Sequence, residues 1–300
     1  MNLDDLRYFM AVAETGLLHR AAAQVGVSQP ALTKAIRRLE AELNVPLFDR
    51  SPKGMLLTRF GIEFQRHAAS LRIAYEDTLN QLGEMSAGEL AKVRLGATPA
   101  VEPLVSRAFL SLVRSRPALR LDLTVQLSDT LIRALLDGEI DLAVGPLPAE
   151  LPEAVQAVPL LMESTSVVCR ADHPLCSAGA SVSADTLGRY PWILPGQGVS
   201  ARQQIDAYFS RHRVEGPRVQ VQSNYSSPVG VFFLVANTDM LGICSTQHRP
   251  VAEQLGLKTL AVNQANWSRQ IAILTRRSGS LSPLTQAFMT QIVEEATPRA

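Results

Sequence analysis

Cysteine is scarce in this chain: its 300 residues include three, Cys169, Cys176 and Cys244. The number is odd and no CxxC occurs, so neither a disulfide framework nor a zinc site is expected, and the three read as buried free thiols. The five histidines, at positions 19, 67, 173, 212 and 248, show no metal-ligand spacing such as HxxxH. GxSxG, P-loop and GxGxxG motifs are missing, and Gly196-Gln-Gly198 is too short for a dinucleotide motif. No metal or cofactor is expected. The longest apolar run, about 229–236, falls far short of the ~20 residues of a membrane helix. The start, Met1-Asn2-Leu3-Asp4-Asp5, is acidic and unlike a signal peptide, so a cytoplasmic location without membrane partners is expected. An excess of one charge is also missing: 29 basic against 28 acidic side chains leave a net +1. Taken whole, that balance speaks against a polyanionic partner, because such domains are usually basic.

Apolar residues are plentiful at 46%, which supplies real cores and excludes wholesale disorder, and the length suggests about two domains. The first sixty residues read as helices. Leu6, Phe9, Met10 and Ala13 share a helical face behind Asp4 and Asp5. Leu18, Ala21, Ala22 and Val25 form a short second face stopped by Gly26. Leu32, Ile36, Leu39 and Leu43 form a third, entered through Ser28 as N-cap and Pro30 in the first turn. Two short apolar runs then flank Ser51-Pro52-Lys53-Gly54, which has hairpin turn chemistry. From Thr58 to about Ala87 there is no proline. Phe60, Phe64, Ala68, Leu71, Tyr75, Leu79 and Leu82 recur in steps of three or four, predicting one long helix whose uncovered stripe pairs with a copy of itself.

Beyond Gly88 the texture changes. Strands are predicted at 93–97, 121–127, 142–145, 166–170, 192–194, 219–222, 241–244 and 269–275. Helices are predicted at 101–115, 130–136, 201–212, 229–237 and 283–295. Such alternation implies a parallel sheet with crevice sites at its strand ends.

The run from Arg20 to Arg38 carries the sharpest signal. Gly26 suits the left-handed residue between two helices, and Val27 plugs the angle between them. With Leu32, Ile36 and Leu39 facing inward, the third helix shows Gln29, Pro30, Thr33, Lys34 and Arg37 on its other face, with no acid among them. Gln suits adenine edges, Lys reaches guanine or phosphate, and Pro and Thr offer apolar contact to thymine methyls. Local charge answers the whole-chain objection. Residues 17–60 hold seven basic side chains (Arg20, Lys34, Arg37, Arg38, Arg50, Lys53 and Arg59) against Glu40, Glu42 and Asp49, while the other 256 residues carry a net −3. The hairpin between Leu47 and Thr58, tipped by Lys53, reads as a wing that reaches backbone or minor groove. Helix-turn-helix, wing and pairing helix in succession point to double-stranded DNA.

Leu3-Asp4-Asp5-Leu6-Arg7-Tyr8-Phe9, Arg20-Ala21-Ala22, Val27-Ser28-Gln29-Pro30-Ala31-Leu32-Thr33, Ile36-Arg37-Arg38-Leu39-Glu40, Leu43-Asn44-Val45-Pro46-Leu47-Phe48-Asp49-Arg50 and Leu57-Thr58-Arg59-Phe60-Gly61 together resemble the LysR-type transcriptional regulators. In the body, Leu135-Leu-Asp-Gly138-Glu-Ile-Asp141-Leu-Ala-Val-Gly145 and Leu241-Gly-Ile-Cys-Ser245 resemble further motifs of that family. The resemblance implies an α+β multidomain fold: a winged helix-turn-helix (1–58), a linker and dimerisation helix (59–88), and a two-lobed α/β effector domain like the type 2 periplasmic binding proteins. Its first lobe would take 92–163 and 268–300, its second 164–267. It further implies a homotetramer on promoter DNA, with RNA polymerase as a further partner left open, and a small-molecule co-inducer. By resemblance the DNA contacts fall on Gln29, Pro30, Thr33 and Lys34, with Arg50 and Lys53 in the wing; Arg20, Ser28 and Arg37 complete the candidate set. The chain departs from the family at Leu17-Leu18-His19, where a Ser or Thr commonly caps the second helix; a missing cap costs ~1 kcal/mol.

A sensor needs polar groups where its lobes meet, and strand-to-helix turns supply them. The candidates are Thr98-Pro99-Ala100, Ser128, the turn from Pro195 to Ser200, and Ser226 with Ser227. Thr98, Ser128 and Ser200 are preferred, although each serine also suits an ordinary helix cap. A polar, anionic effector such as an aromatic or sugar acid is expected. Arg202 is the nearest basic residue by sequence. Two alternatives remain: an α/β enzyme with an accessory head, which lacks a nucleophile–base or metal constellation, and a solute-binding protein, which gives the head no purpose.

Overall fold

In the computed structural model of this chain, Asn2 opens α1 (Leu3–Thr15) through a capping box: its side chain accepts from the Asp5 N–H, and the Asp5 carboxylate accepts from the Asn2 N–H. Residues 1–51, 54–87, 92–116, 119–176, 181–223, 228–278 and 281–297 are described. They fall into two units, Met1–Gly88 with Ser278–Ser282 and Glu89–Arg277 with Pro283–Ala300.

In the first unit, α2 (Leu18–Val25) starts at Leu17 without a side-chain cap, as its sequence predicts, and ends at Gly26, whose φ of 74° is left-handed. Ser28 then caps α3 (Gln29–Leu43), its Oγ accepting from the Ala31 N–H at 3.3 Å. Strands β1 (Phe48–Ser51) and β2 (Gly54–Leu57) pair antiparallel, Phe48 opposite Leu57, and α4 (Arg59–Ala87) follows at the expected length. One apolar core unites these pieces around Leu6, Phe9, Leu32, Ile36, Leu39 and Phe48. The Phe9 ring lies 5.1 Å from that of Phe48 and edge-on to Phe64 at 4.8 Å. One polar and one steric detail fix where α4 begins. The Glu40 carboxylate accepts from the N–H groups of Leu47 and Phe48 at 2.8 and 3.1 Å. At Gly61 an added Cβ would sit 2.1 Å from the Leu47 carbonyl oxygen, so only glycine fits.

The second unit starts with three parallel strands, β3 (Lys92–Ala97) between β4 (Arg120–Val125) and β5 (Leu142–Pro146), linked by α5 (Glu102–Ser115) and α6 (Ser128–Leu136). The purely parallel sheet expected from the alternation is corrected beyond β5. There the 16-residue β6 (Val155–Arg170) pairs antiparallel with β11 (Ser268–Arg276), β9 (Gly242–Ser245) and β10 (Leu257–Leu260). The first half of β6 was not predicted. Pro159 argues against a strand, but the pairing skips Leu160 between Pro159 and Leu161, a bulge that accommodates a residue without an N–H.

Between these strands run α7 (Ala184–Gly188), the parallel pair β7 (Pro191–Pro195) and β8 (Arg218–Ser223), α8 (Ser200–Arg211), α9 (Pro228–Ala236) and α10 (Arg249–Gln254), and α11 (Pro283–Ala296) closes the chain. Separate apolar cores mark two lobes. One gathers Leu95, Val105, Val144, Ile273 and Phe288, the other Trp192, Leu194, Ile205, Tyr208 and Trp267.

Candidate functional site

Two surfaces concern function, one in each unit. On the head, the inward face of α3 is Leu32, Ala35, Ile36 and Leu39. The remaining face therefore shows Gln29, Pro30, Lys34 and Arg37, all exposed, with Thr33 half-buried. Thr33 donates its hydroxyl proton to the Gln29 carbonyl oxygen at 2.9 Å, so its methyl group is what distinguishes it at this face. Ser28 accepts as a cap and keeps its own proton for an outside acceptor. Arg20 on α2 and Arg50 on β1 are exposed as well. Among the described residues, no carboxylate pairs with Arg20, Lys34, Arg37 or Arg50. Arg38 differs: its guanidinium is bonded to the buried Asp5. The charge counted for residues 17–60 thus overstates what the head presents, because Asp5 lies outside that window. Lys53 lies outside the described residues. On α4, Leu71, Tyr75, Leu79 and Leu82 are exposed as the stripe predicts, but Phe64 and Ala68 of the same stripe are covered by the head core, so the uncovered part is shorter than expected.

In the second unit a cavity of about 830 Å³ opens between the lobes. It gathers Thr98, Pro99, Ala100, Ser128, Pro195 and Ser200, the candidates named from three separate strand-to-helix turns. Ser226 and Ser227 lie outside the described residues. Thr98 is 6% exposed, and its Oγ1 has no hydrogen-bond partner among the described residues. Ser128 and Ser200 open α6 and α8, where unpaired N–H groups favour an anion.

Arg202 proves to be no cavity residue. It is buried, its Nε reaching both oxygens of Asp206 at 2.8 and 2.9 Å and its Nη1 the Pro195 carbonyl oxygen at 3.3 Å. The cation on the wall is Arg269, which sequence reasoning missed. Its Nε donates to Glu163 Oε2 at 3.0 Å and its Nη1 to Ser200 Oγ at 2.9 Å. Glu163 is fully buried, and its Oε1 accepts from the Thr246 N–H at 3.1 Å. Burial pushes the Glu163 carboxyl up, against the opposing pull of Arg269 and the Thr246 amide. No local signal marks this pair, because its members are 106 residues apart and meet only where β6 and β11 lie in register.

The wall also holds a serine and a histidine that sequence reading did not bring together. Ser245 Oγ lies 2.9 Å from His248 Nδ1. Ser245 also donates to the Ala100 carbonyl oxygen at 3.2 Å. With its single proton placed there, it accepts from His248 Nδ1–H, the reverse of what a general base needs. Burial holds the His248 imidazole below its usual range, against a partial upward pull from Glu102. Among the described residues, no group of three or more His, Cys, Asp or Glu could hold a metal ion. Nor is any helix among them long and apolar enough to cross a membrane.

Comparison with known proteins agrees over nearly the full length. Residues 3–62 match the family model described as bacterial regulatory helix-turn-helix protein, lysR family, and residues 86–297 match the LysR substrate binding domain. The HTH-type transcriptional regulator GbpR of Azospirillum brasilense is 32% identical over 246 residues, 81% of this chain and 71% of GbpR. Full-length OxyR from Pseudomonas aeruginosa superposes with a TM-score of 0.65 at 24% identity, covering 99% of this chain and 94% of OxyR. Full-length CbnR in complex with its target DNA gives 0.62 at 19% identity, covering 98% and 100%. A winged head with an exposed basic helix face, a two-lobed body with a polar cavity, and matches to both family models lead to one assignment: the chain belongs to the LysR family of DNA-binding transcriptional regulators.

Proposed function

We propose that the head reads promoter DNA with Gln29, Pro30, Thr33 and Lys34 in the major groove, and that Arg20, Ser28, Arg37, Arg50 and Lys53 hold its phosphates. We further propose that a small, polar, anionic metabolite binds in the cavity at Thr98, Pro99, Ala100, Ser128, Pro195, Ser200 and Ser226, and that its binding changes how the protein holds or bends DNA. One observation carries the effector reading. Three turns distant in sequence converge on one cavity whose wall holds an unpartnered threonine hydroxyl and an arginine. A built polar site in an otherwise apolar crevice is what a ligand requires.

The division into a head (1–58), a pairing helix (59–88) and lobes of 92–163 with 268–300 and of 164–267 belongs to the same proposal. So does a cytoplasmic homotetramer, of which the exposed part of the α4 stripe supports only the pairing of two copies. We take the body to be a sensor without catalysis of its own. Titration calorimetry of the full-length chain against polar metabolites tests the effector reading. Anionic compounds should bind; a screen in which only cations or purely apolar compounds bound would contradict it.

A further inference from the structure

The buried pair behind the cavity wall has a feature that stability does not explain. A buried ion pair is commonly no better for stability than well-packed apolar side chains. Here Glu163 is completely buried, and Arg269 is 13% exposed at its side chain. The glutamate takes the Nε edge of the guanidinium, and Ser200 Oγ takes Nη1. Nη2 has no partner among the described residues. Ser200 accepts from Arg269, so its hydroxyl proton remains available as a donor. Thr98 Oγ1, nine-tenths buried on the same cavity, lacks a partner. An arginine with an unpaired guanidinium nitrogen beside the Ser200 hydroxyl, on a cavity whose wall also holds the Thr98 hydroxyl and the helix starts at Ser128 and Ser200, is a receptor for a carboxylate.

Charge limits what that receptor accepts. Glu163, fully buried behind the wall, cancels Arg269, and the only carboxylate lining the cavity itself among the described residues is the exposed Asp129. A singly charged ligand meets one guanidinium and the amide dipoles. A doubly charged one doubles its attraction to Arg269 but equally its repulsion from Glu163, so the paired arginine does little to offset a desolvation cost that grows with the square of the charge. Val125, Leu127, Val231 and Phe232 give the cavity an apolar wall suited to a ring or alkyl body.

We infer that the cavity selects a compound with an apolar body and a single carboxylate, that this carboxylate docks on Arg269 with help from Thr98 and Ser200, and that Glu163 excludes dianionic phosphate esters. The inference deepens the effector reading above and rests on it.

Benzoate, benzamide and phenyl phosphate share one ring and carry one, zero and two charges. Each is titrated against the full-length chain by calorimetry and thermal shift. The wild type should bind benzoate at least tenfold more tightly than either of the others. Arg269→Gln should lose that preference, and Ser200→Ala, which leaves the ion pair in place, should weaken benzoate several-fold. Glu163→Gln should bring phenyl phosphate to within about threefold of benzoate. Far-UV circular dichroism and DNA binding identify any variant that fails to fold, and Ser200→Ala then decides the matter. Equal binding of benzoate and benzamide, or benzoate binding unchanged in Arg269→Gln or in Ser200→Ala, overturns the inference while leaving a cavity that binds ligand. Phenyl phosphate still rejected by Glu163→Gln overturns the role of Glu163. Binding of none of the three overturns the inference together with the effector reading.

Discussion

Asp5 on α1 and Arg38 on α3 are bonded to each other across the head, and Asp5 is only 2% exposed. The same carboxylate accepts from the Asn2 N–H at 2.8 Å, so one buried side chain caps the first helix and holds the third. Arg38 therefore counts as structure, whereas its neighbour Arg37 points to solvent with no acidic partner among the described residues. Asp5→Ala should lower head stability by about 1–2 kcal/mol through the lost cap and the stranded amide. Denaturant melts check this. In DNA titrations Arg37→Ala should weaken binding more than Arg38→Ala, and equal losses would contradict the division.

Gln29 and Arg50 separate reading from holding. Gln29→Ala should cost about 1–3 kcal/mol and relax preference at one base pair. Arg50→Ala should weaken all sequences alike and reduce the salt slope by about one. Binding-site selection on randomised operators, with a salt series, distinguishes the two. Matching base-preference profiles for both variants would contradict the assignment.

Gly61 stands where the start of α4 meets the strand-side backbone, with no room for a methyl group beside the Leu47 oxygen. Gly61→Ala should destabilise the head by roughly 1–3 kcal/mol, because backbone cannot yield as a flexible side chain can. It should also lower DNA affinity, since Leu47 and Phe48 lead into the wing. Urea denaturation followed at the head tests it; a variant as stable as the wild type would contradict the account.

Much of this was legible in the sequence, for a physical reason. Ser28, Pro30 and Gly26 act within a few residues of themselves, so cap, first turn and left-handed turn can each be read locally. Thr98, Ser128 and Ser200 were legible because strand-to-helix turns put donors at strand ends. Arg269 and Glu163 were not, because only the register of β6 against β11 brings them together. The first half of β6 was not legible either: proline opposes strands, and only the bulge beside Pro159 shows how this strand tolerates one. The charge of Arg38 could be counted, but its partner Asp5 sat outside the window in which it was counted.

His173 sets a pH dependence. It is fully buried; its Nδ1 accepts from the Leu175 N–H at 3.1 Å, and its Nε2 lies 3.3 Å from the Asp239 carbonyl oxygen. Both contacts are satisfied together by the neutral ring with its proton on Nε2. Burial pushes the imidazole below its ordinary value, ahead of the opposing effect of the Asp239 contact. The unfolded chain then binds the proton more readily than the folded one. Stability is whole above the ordinary imidazole value of ~6.5 and is lost as pH falls through the depressed one. Thermal unfolding of the wild type should drop more steeply from neutral to mildly acidic pH than that of His173→Gln. Parallel curves would contradict this.

The central claim is that a nearly neutral chain grips DNA through a locally basic head. Fluorescence anisotropy of the full-length protein on the intergenic DNA upstream of its own gene, across a salt series, tests it most directly. With several phosphates neutralised by the basic heads, affinity should fall linearly on logarithmic axes, by about a thousandfold or more between roughly 50 and 200 mM salt. Lys34→Ala should flatten that slope. Affinity that stays constant across the series, or no binding at the lowest salt, would contradict the account.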